Sequence, residues 1–338
     1  MGRGDGAGAK EDCLYAGKEV SVDREKIAAA AAKRRAKVDK IKTSSSSTGW
    51  VSDAVNKKKQ SPILSDLRDY FIQATAERNR DRDTAHIHPS EMAKSDWCPR
   101  QTCYRISDVP PDEGHAGEKL YWRLASIFEE GHDIHDKHQR ALWEMGELYG
   151  VWGCRDCDHT WWALSPAVCE SCASLHIDYR EVPISNPEFH LIGHTDGIHQ
   201  SDGIRNLEVK SVGIRTIEIE IPGVYLRWKE SGADLPALWT SIKIPFPSHQ
   251  RQVQIYMDTL RAMGFEIDET QFIYEFKATQ DLKGFIVKYN ERAARKMTDV
   301  AVLVLQHRED GTDMDRPEWA HAKHSSCKEC PWQGRCWA

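Results

Sequence analysis

Glu208 and Lys210 stand two residues apart in NLEVKSVG, and Asp196 stands twelve residues before Glu208 in GHTDG. Between them the Asp202-Gly203 pair marks a turn that joins two extended segments. A turn centred near Asp202 sets Asp196 roughly opposite Glu208. Residues two apart on a strand share a face, so Glu208 and Lys210 point one way and Val209 points the other, into a core. Two carboxylates and an amine then converge at a sheet edge. Such a group suits Mg²⁺ or Mn²⁺. Mg²⁺ takes hard oxygen ligands and keeps several waters, which leaves room for a phosphate. A bound ion acidifies a water and offsets charge on phosphate oxygens, while Lys210 can orient or deprotonate that water. Glu-x-Lys by itself is a weak signal, because exposed strands often carry such a pair as solvated charge.

Other residues strengthen the pattern. His135 follows Gly131 by four positions in a helical region, and it offers a nitrogen ligand or a substrate contact beside His132 and His138. Gln252 and Tyr256 lie one helical turn apart on one face, with His249 a turn earlier. Gln can hydrogen-bond to backbone or nucleic acid, and Tyr can stack or bind phosphate.

The ten cysteines carry a second kind of chemistry, and six of them fall in three C-x-x-C pairs. Cys154-x2-Cys157-x11-Cys169-x2-Cys172 has the spacing of a zinc ribbon, with Trp152, Trp161 and Trp162 around it. An insert of this length, residues 151–175, has no core of its own and needs the Zn²⁺ as a staple. Cys327-x2-Cys330-x5-Cys336 supplies three thiols and needs a fourth. Cys98 is the first choice, Cys103 competes with it, and Cys13 is more distant. Four thiolates suit either zinc or a [4Fe–4S] cluster, and spacing does not separate the two.

These residues need a scaffold. Apolar spacing predicts a helix over Ile63–Glu77, with Leu64, Leu67, Phe71 and Ala74 on one face, and a long or broken helix over Leu120–Met145. Strands are expected at Glu188–Ile198 and Gly203–Val212. Residues 213–248 read as irregular, broken by Pro222, Pro236, Pro245 and Pro247. A helix at His249–Met263, strands at Thr270–Lys277 and Gly284–Tyr289, and a helix at Glu291–Val302 complete an α/β core with a mixed sheet.

Composition sets the outer bounds. The 338 residues hold 46 Lys+Arg against 52 Asp+Glu, a formal charge of −6, which excludes a histone-like protein held to DNA by bulk charge. Residues 1–60 differ from the rest, with 14 Lys+Arg and 8 Asp+Glu, and a helix is possible at Asp23–Lys42. They read as a flexible basic arm able to meet phosphates. No apolar run long enough to span a membrane occurs, and the N-terminus lacks the apolar core of a secretory signal. A cytoplasmic setting is therefore expected, where metal sites are favoured over disulfides. No G-x-x-x-x-G-K-[ST] occurs, so any DNA unwinding requires a partner motor.

Taken in order, CPR at Cys98, GHDIH at Gly131–His135, GHTD at Gly193–Asp196, EVK at Glu208–Lys210, QVQIY at Gln252–Tyr256 and CKECPWQGRC at Cys327–Cys336 resemble the PD-(D/E)XK nucleases. The resemblance is to their iron–sulfur branch, which includes Cas4-like and AddB-type RecB-family nuclease domains. It implies a restriction-endonuclease-like core, a divalent-metal exonuclease acting on DNA in recombination, repair or phage DNA processing, and a [4Fe–4S] cluster held by Cys98, Cys327, Cys330 and Cys336. His135, Asp196 and Glu208 match metal-binding positions, Lys210 the catalytic lysine, and Gln252 and Tyr256 the family's downstream pair. The setting it implies is a prokaryotic cell or phage-infected host, with DNA and a separate helicase or recombination protein as partners. The organisation expected is an arm at 1–60, a nuclease domain at 61–338 containing the insert at 151–175, and a closing cysteine motif at 327–338. Two other functions fit the same residues, a non-catalytic DNA-binding or assembly module and a structure-specific endonuclease or RNA nuclease.

Overall fold

The computed structural model describes residues 62–338 apart from 81, 114 and 116–119. The basic arm, its expected helix and Cys13 lie outside the described residues. Ser65–Ala338 forms one compact unit. Helices α1 (Pro62–Arg78), α2 (Pro89–Met92), α3 (Pro99–Ile106) and α4 (Trp122–Glu144) precede β1 (Leu148–Cys154), β2 (Thr160–Leu164), β3 (Ile177–Arg180), β4 (Val182–Asn186), β5 (Leu191–Thr195), β6 (Gly197–Gln200) and β7 (Ile204–Val212). Helices α5 (Ile214–Glu220), α6 (Pro222–Ser231), α7 (Leu235–Ser241) and α8 (Pro247–Ala262) lead to β8 (Glu269–Phe276) and β9 (Leu282–Lys288). Then follow α9 (Glu291–Asp310), α10 (Ser325–Lys328) and α11 (Gln333–Trp337).

The main sheet is mixed and runs β2-β1-β6-β7-β8-β9, while β4 and β5 form a separate hairpin. Only β7 and β8 pair in parallel among the described strands. Parallel strands need cover on both faces, and the alternation in β7 and β8 provides for it. Leu207, Val209 and Ile273 pack with Ile134 and Leu142 of α4. Phe272, Tyr274 and Phe276 turn the other way and pack with Ile255, Tyr256 and Leu260 of α8 and Val304 of α9. Full burial of each such side chain contributes about 1.5–3 kcal/mol. Glu208 and Lys210 alternate with Leu207 and Val209, so they face away from Val209, as expected.

Several expectations from the sequence are corrected. Strand β7 lies between β6 and β8, so the acidic group stands inside the sheet and not at its edge. The strand expected at Glu188–Ile198 is divided. A 3-10 turn spans Pro187–Phe189, His190 is left-handed with φ 49°, and β5 and β6 then pair with different partners. Residues 213–248 are mostly helical, because Pro222, Pro236 and Pro247 sit in first turns, where proline has no hydrogen bond to lose. In α1 the apolar face is only partly covered, with Leu64 and Leu67 exposed. Helix α4 continues through Gly131, leaving Ile127 and Phe128 on its exposed side. The cysteine insert is part of the main sheet: β2 pairs one side of β1, and β3 and β6 share the other, end to end. Among the described residues no helix is long and apolar enough to cross a membrane.

Candidate active site

Asp196 occupies the single position between β5 and β6. The β4–β5 ladder ends at Val182 opposite Thr195, and the β6–β7 ladder begins at Gly197 opposite Leu207. Extending both registers by one residue sets Glu181 opposite Asp196 on one side and Glu208 opposite it on the other. The backbone is tethered there, since Gln139 Nε2 (2.9 Å) and Tyr179 Oη (3.1 Å) both donate to the Asp196 carbonyl. Gly197 must lack a side chain, because a Cβ would sit 2.8 Å from both Leu148 Cδ1 and Tyr179 Oη. The Asp196 carboxylate accepts the Val209 N–H at 2.6 Å through Oδ2, and Oδ1 lies 3.2 Å from His135 Nδ1.

His135, Glu181 and Asp196 each bring a ligand atom within 4.8 Å of the others. Helix α4 supplies the first, and Glu181 is the residue between β3 and β4. Lys210 Nζ contacts Glu208 Oε1 at 2.5 Å. The second oxygen of Glu208, Oε2, is buried and has no hydrogen-bond partner. An orphaned buried carboxylate oxygen carries a substantial desolvation cost, which a cation would remove.

The electrostatics divide the acids into two kinds. Burial works against the Asp196 carboxylate, but His135, Lys210 and the Val209 N–H outweigh it and hold the group below its ordinary range. Burial, reinforced by the Asp196 charge, pushes Glu208 up to about 7 against the pull of Lys210. Glu181 keeps a face open to solvent, yet desolvation of its carboxyl inside the cleft, and then Asp196, push it up to about 7. His135 is raised because Asp196 overcomes the effect of its burial. Lys210 is raised too, since Glu208 and Asp196 outweigh desolvation. It therefore stands as a hydrogen-bond donor and cation beside the two acids.

Gln252 and Tyr256 lie buried on α8, and Gln252 Nε2 donates to Tyr256 Oη at 2.6 Å. Burial and the Glu208 and Asp196 charges hold the Tyr256 phenol well above its usual pKa, so it stays neutral beside the acids. His249 is tied to Tyr274 Oη at 2.5 Å and kept neutral by burial and Lys210. His138 is drawn away from the acids, to Glu275 at 2.7 Å. Glu181 was not singled out in the sequence. The signal for it was the Asn186-Pro187 turn, which folds VPIS back on LIGHT and sets the residue before Val182 against the one after Thr195.

The cysteines form two groups. In the insert, Cys154 and Cys172 sulfurs are 3.6 Å apart and Cys157 and Cys169 sulfurs 3.7 Å apart. A zinc–sulfur bond of about 2.3 Å requires tetrahedral edges of about 3.8 Å, so these four fit one zinc. The Asp156 and Ser171 N–H groups donate to Cys154 and Cys169, both at 3.4 Å. Against desolvation, the Asp156 and Cys157 N–H groups bring the Cys154 thiol down to about 7, toward the thiolate a metal needs. Cys98, Cys327, Cys330 and Cys336 instead line one cavity of about 30 Å³, and Cys103 does not line it. Burial and the three neighbouring sulfurs push the Cys98 thiol up to about 11. Among the described residues, no three of these four sulfurs gather within 4.8 Å as the insert's do.

No family model and no curated protein matches the chain. Among solved structures it is similar to SSO0001, at 13% identity over 80% of this chain and 96% of that one, with a TM-score of 0.36. It is also similar to the alkaline exonuclease LHK-Exo from Laribacter hongkongensis, at 10% identity over 72% of this chain and 93% of that one, with a TM-score of 0.36. The complex of LHK-Exo with dAMP matches at 10% identity over 68% and 90%, with a TM-score of 0.35.

Proposed function

We propose that this chain is a Mg²⁺- or Mn²⁺-dependent deoxyribonuclease with a PD-(D/E)XK core, acting as an exonuclease. The observation that carries the reading is the junction at Asp196. Two registers converge there and bring His135, Glu181 and Asp196 together beside the Glu208–Lys210 pair, with Glu208 Oε2 buried and unpartnered. Asp196, Glu181 and Glu208 supply hard oxygens and His135 a nitrogen, a donor set that suits Mg²⁺ or Mn²⁺. When bound, the ion supplies a Lewis acid that polarises a phosphodiester and lowers the pKa of a water. Lys210, held as a cation, orients the attacking water and offsets charge that grows on the phosphate oxygens. Tyr256, positioned by Gln252, stays a neutral phenol and offers its O–H as a hydrogen-bond donor on the same side.

A cavity of about 430 Å³ reaches this group and is lined by His135 and Glu181 with Ile127, Phe128, Arg215 and Thr216. Its size suits a nucleotide, and the exposed Phe128 offers a face for a base. Zn²⁺ in the insert and a [4Fe–4S] cluster at Cys98, Cys327, Cys330 and Cys336 complete the proposal as structural staples. A separate motor would supply unwinding inside a prokaryotic cell or phage-infected host. End-labelled linear DNA incubated with Mg²⁺ or Mn²⁺ beside a closed circle tests the reading. Nucleotides released from linear DNA alone support it. Nicking of the circle points to an endonuclease, cleavage of labelled RNA alone to an RNA nuclease, and no cleavage to a binding module.

A further inference from the structure

A separate cavity of about 350 Å³ is also lined by Glu181, together with Val151, Arg180, Pro183 and His194. Val151 on β1 and Arg180 at the end of β3 are register partners, so one wall of this cavity is built by the β1–β3 pair that adjoins the cysteine insert. The Arg180 guanidinium lies across the backbone of Gly153, where a Cβ would sit 2.5 Å from its Nε. Nearby cations are engaged. Arg155 is held by Asp178 at 2.5 Å, Arg215 by Glu218 at 2.6 Å and Lys277 by Glu130 at 3.0 Å. Arg180 alone among these forms no hydrogen bond or ion pair with a described residue. Asp178, the acid that feels its charge, is already paired with Arg155. His194 adds a ring nitrogen to the lining of the same cavity.

We propose that this cavity is a DNA phosphate subsite beside the scissile bond, with Arg180 as its main ligand. The inference rests on the nuclease reading, which places the cleaved phosphate at Glu181 and Asp196. A strand threaded past Glu181 brings its next phosphate to the β1–β3 wall, where an unpaired guanidinium presents a planar fork of donors. Strand β3 then grips substrate, and its pairing with β1 in the main sheet aligns that grip with the carboxylates.

The test measures binding of fluorescent DNA ends without added Mg²⁺ or Mn²⁺. Each substrate carries one neutral methylphosphonate at successive positions near the cleaved end. Wild-type protein should lose affinity when the phosphate next to the scissile one is neutralised. Arg180→Ala should bind more weakly, lose sensitivity at that position alone, and show a log–log salt slope lower by about one. Arg180→Lys should restore most of the slope, because the charge is kept. An unchanged slope and methylphosphonate profile in Arg180→Ala overturns the subsite. Failure of wild-type protein to cut any DNA with Mg²⁺ removes the nuclease reading instead, and the binding profile still decides Arg180.

Discussion

Replacing Glu208 by Gln should change how stability depends on pH in protein free of Mg²⁺. Glu208 is 1% exposed and its carboxyl sits at about 7, against 4.5 for the ordinary group. A raised carboxyl pKa means that the fold prefers the protonated form. Its stabilising contribution is full below pH 4.5, declines as the pH rises toward 7, and is gone above 7. At ~1.4 kcal/mol per pH unit the decline amounts to about 3 kcal/mol. Gln cannot ionise, so the variant should lack this decline. Loss of the Lys210 partner shifts the whole curve by an amount that hardly varies across this window, because Lys210 remains charged beside Asp196. Urea unfolding of both proteins between pH 4.5 and 8, with the thiol-bound metals left in place, gives the difference directly. The wild-type advantage should shrink by about 3 kcal/mol from the acid to the alkaline end. Parallel curves would show that Glu208 is ionised throughout, and the account of a strained acid awaiting a cation would fail.

Other outcomes follow from the same geometry. Glu181→Gln should weaken Mg²⁺ binding by more than the ~10-fold that loss of an outer partner costs, measured by calorimetry. Wild-type Mg²⁺ affinity should rise with pH and level off above about 7, where Glu181 and Glu208 no longer hold protons against the ion. Cys157→Ser should release one zinc per chain and disorder β2 and β3 before the rest of the sheet, read by metal analysis and hydrogen exchange. Protein prepared without oxygen should be brown and carry about four irons per chain, and Cys330→Ala should lose them. Zinc alone at that site would contradict the cluster.

Much of strand β7 was legible in the sequence. The Asp202-Gly203 turn and the alternation in NLEVKSV set Asp196 against Glu208 and turned Lys210 to the same face, and the register agrees. These are local signals of period two, which a short hairpin preserves. What was hidden depended on longer connections. Glu181 belongs to a second hairpin whose turn uses proline, and the strand LIGHT was read as continuous with the segment after Asp196. The prolines of residues 213–248 looked like breakers because proline in a first turn and proline in a loop are alike in a bare sequence. The insert's place in the sheet was hidden because its strands are short and pair with β1, whose own sequence holds Gly150 and Gly153. Those glycines lie beneath Tyr179 and Arg180, which is evident only once β3 is laid beside them.

The proposed active site assigns DNA hydrolysis to the Asp196 junction and Lys210. Single-turnover cleavage of end-labelled linear DNA by wild-type protein and Lys210→Ala, with saturating Mg²⁺, tests it most directly. In the proposed mechanism Lys210 acts chiefly on the transition state, so the variant should bind DNA and Mg²⁺ normally but cleave about 10²–10⁴-fold more slowly. Cleavage by Lys210→Ala at the wild-type rate would contradict the account and remove the active site from this strand.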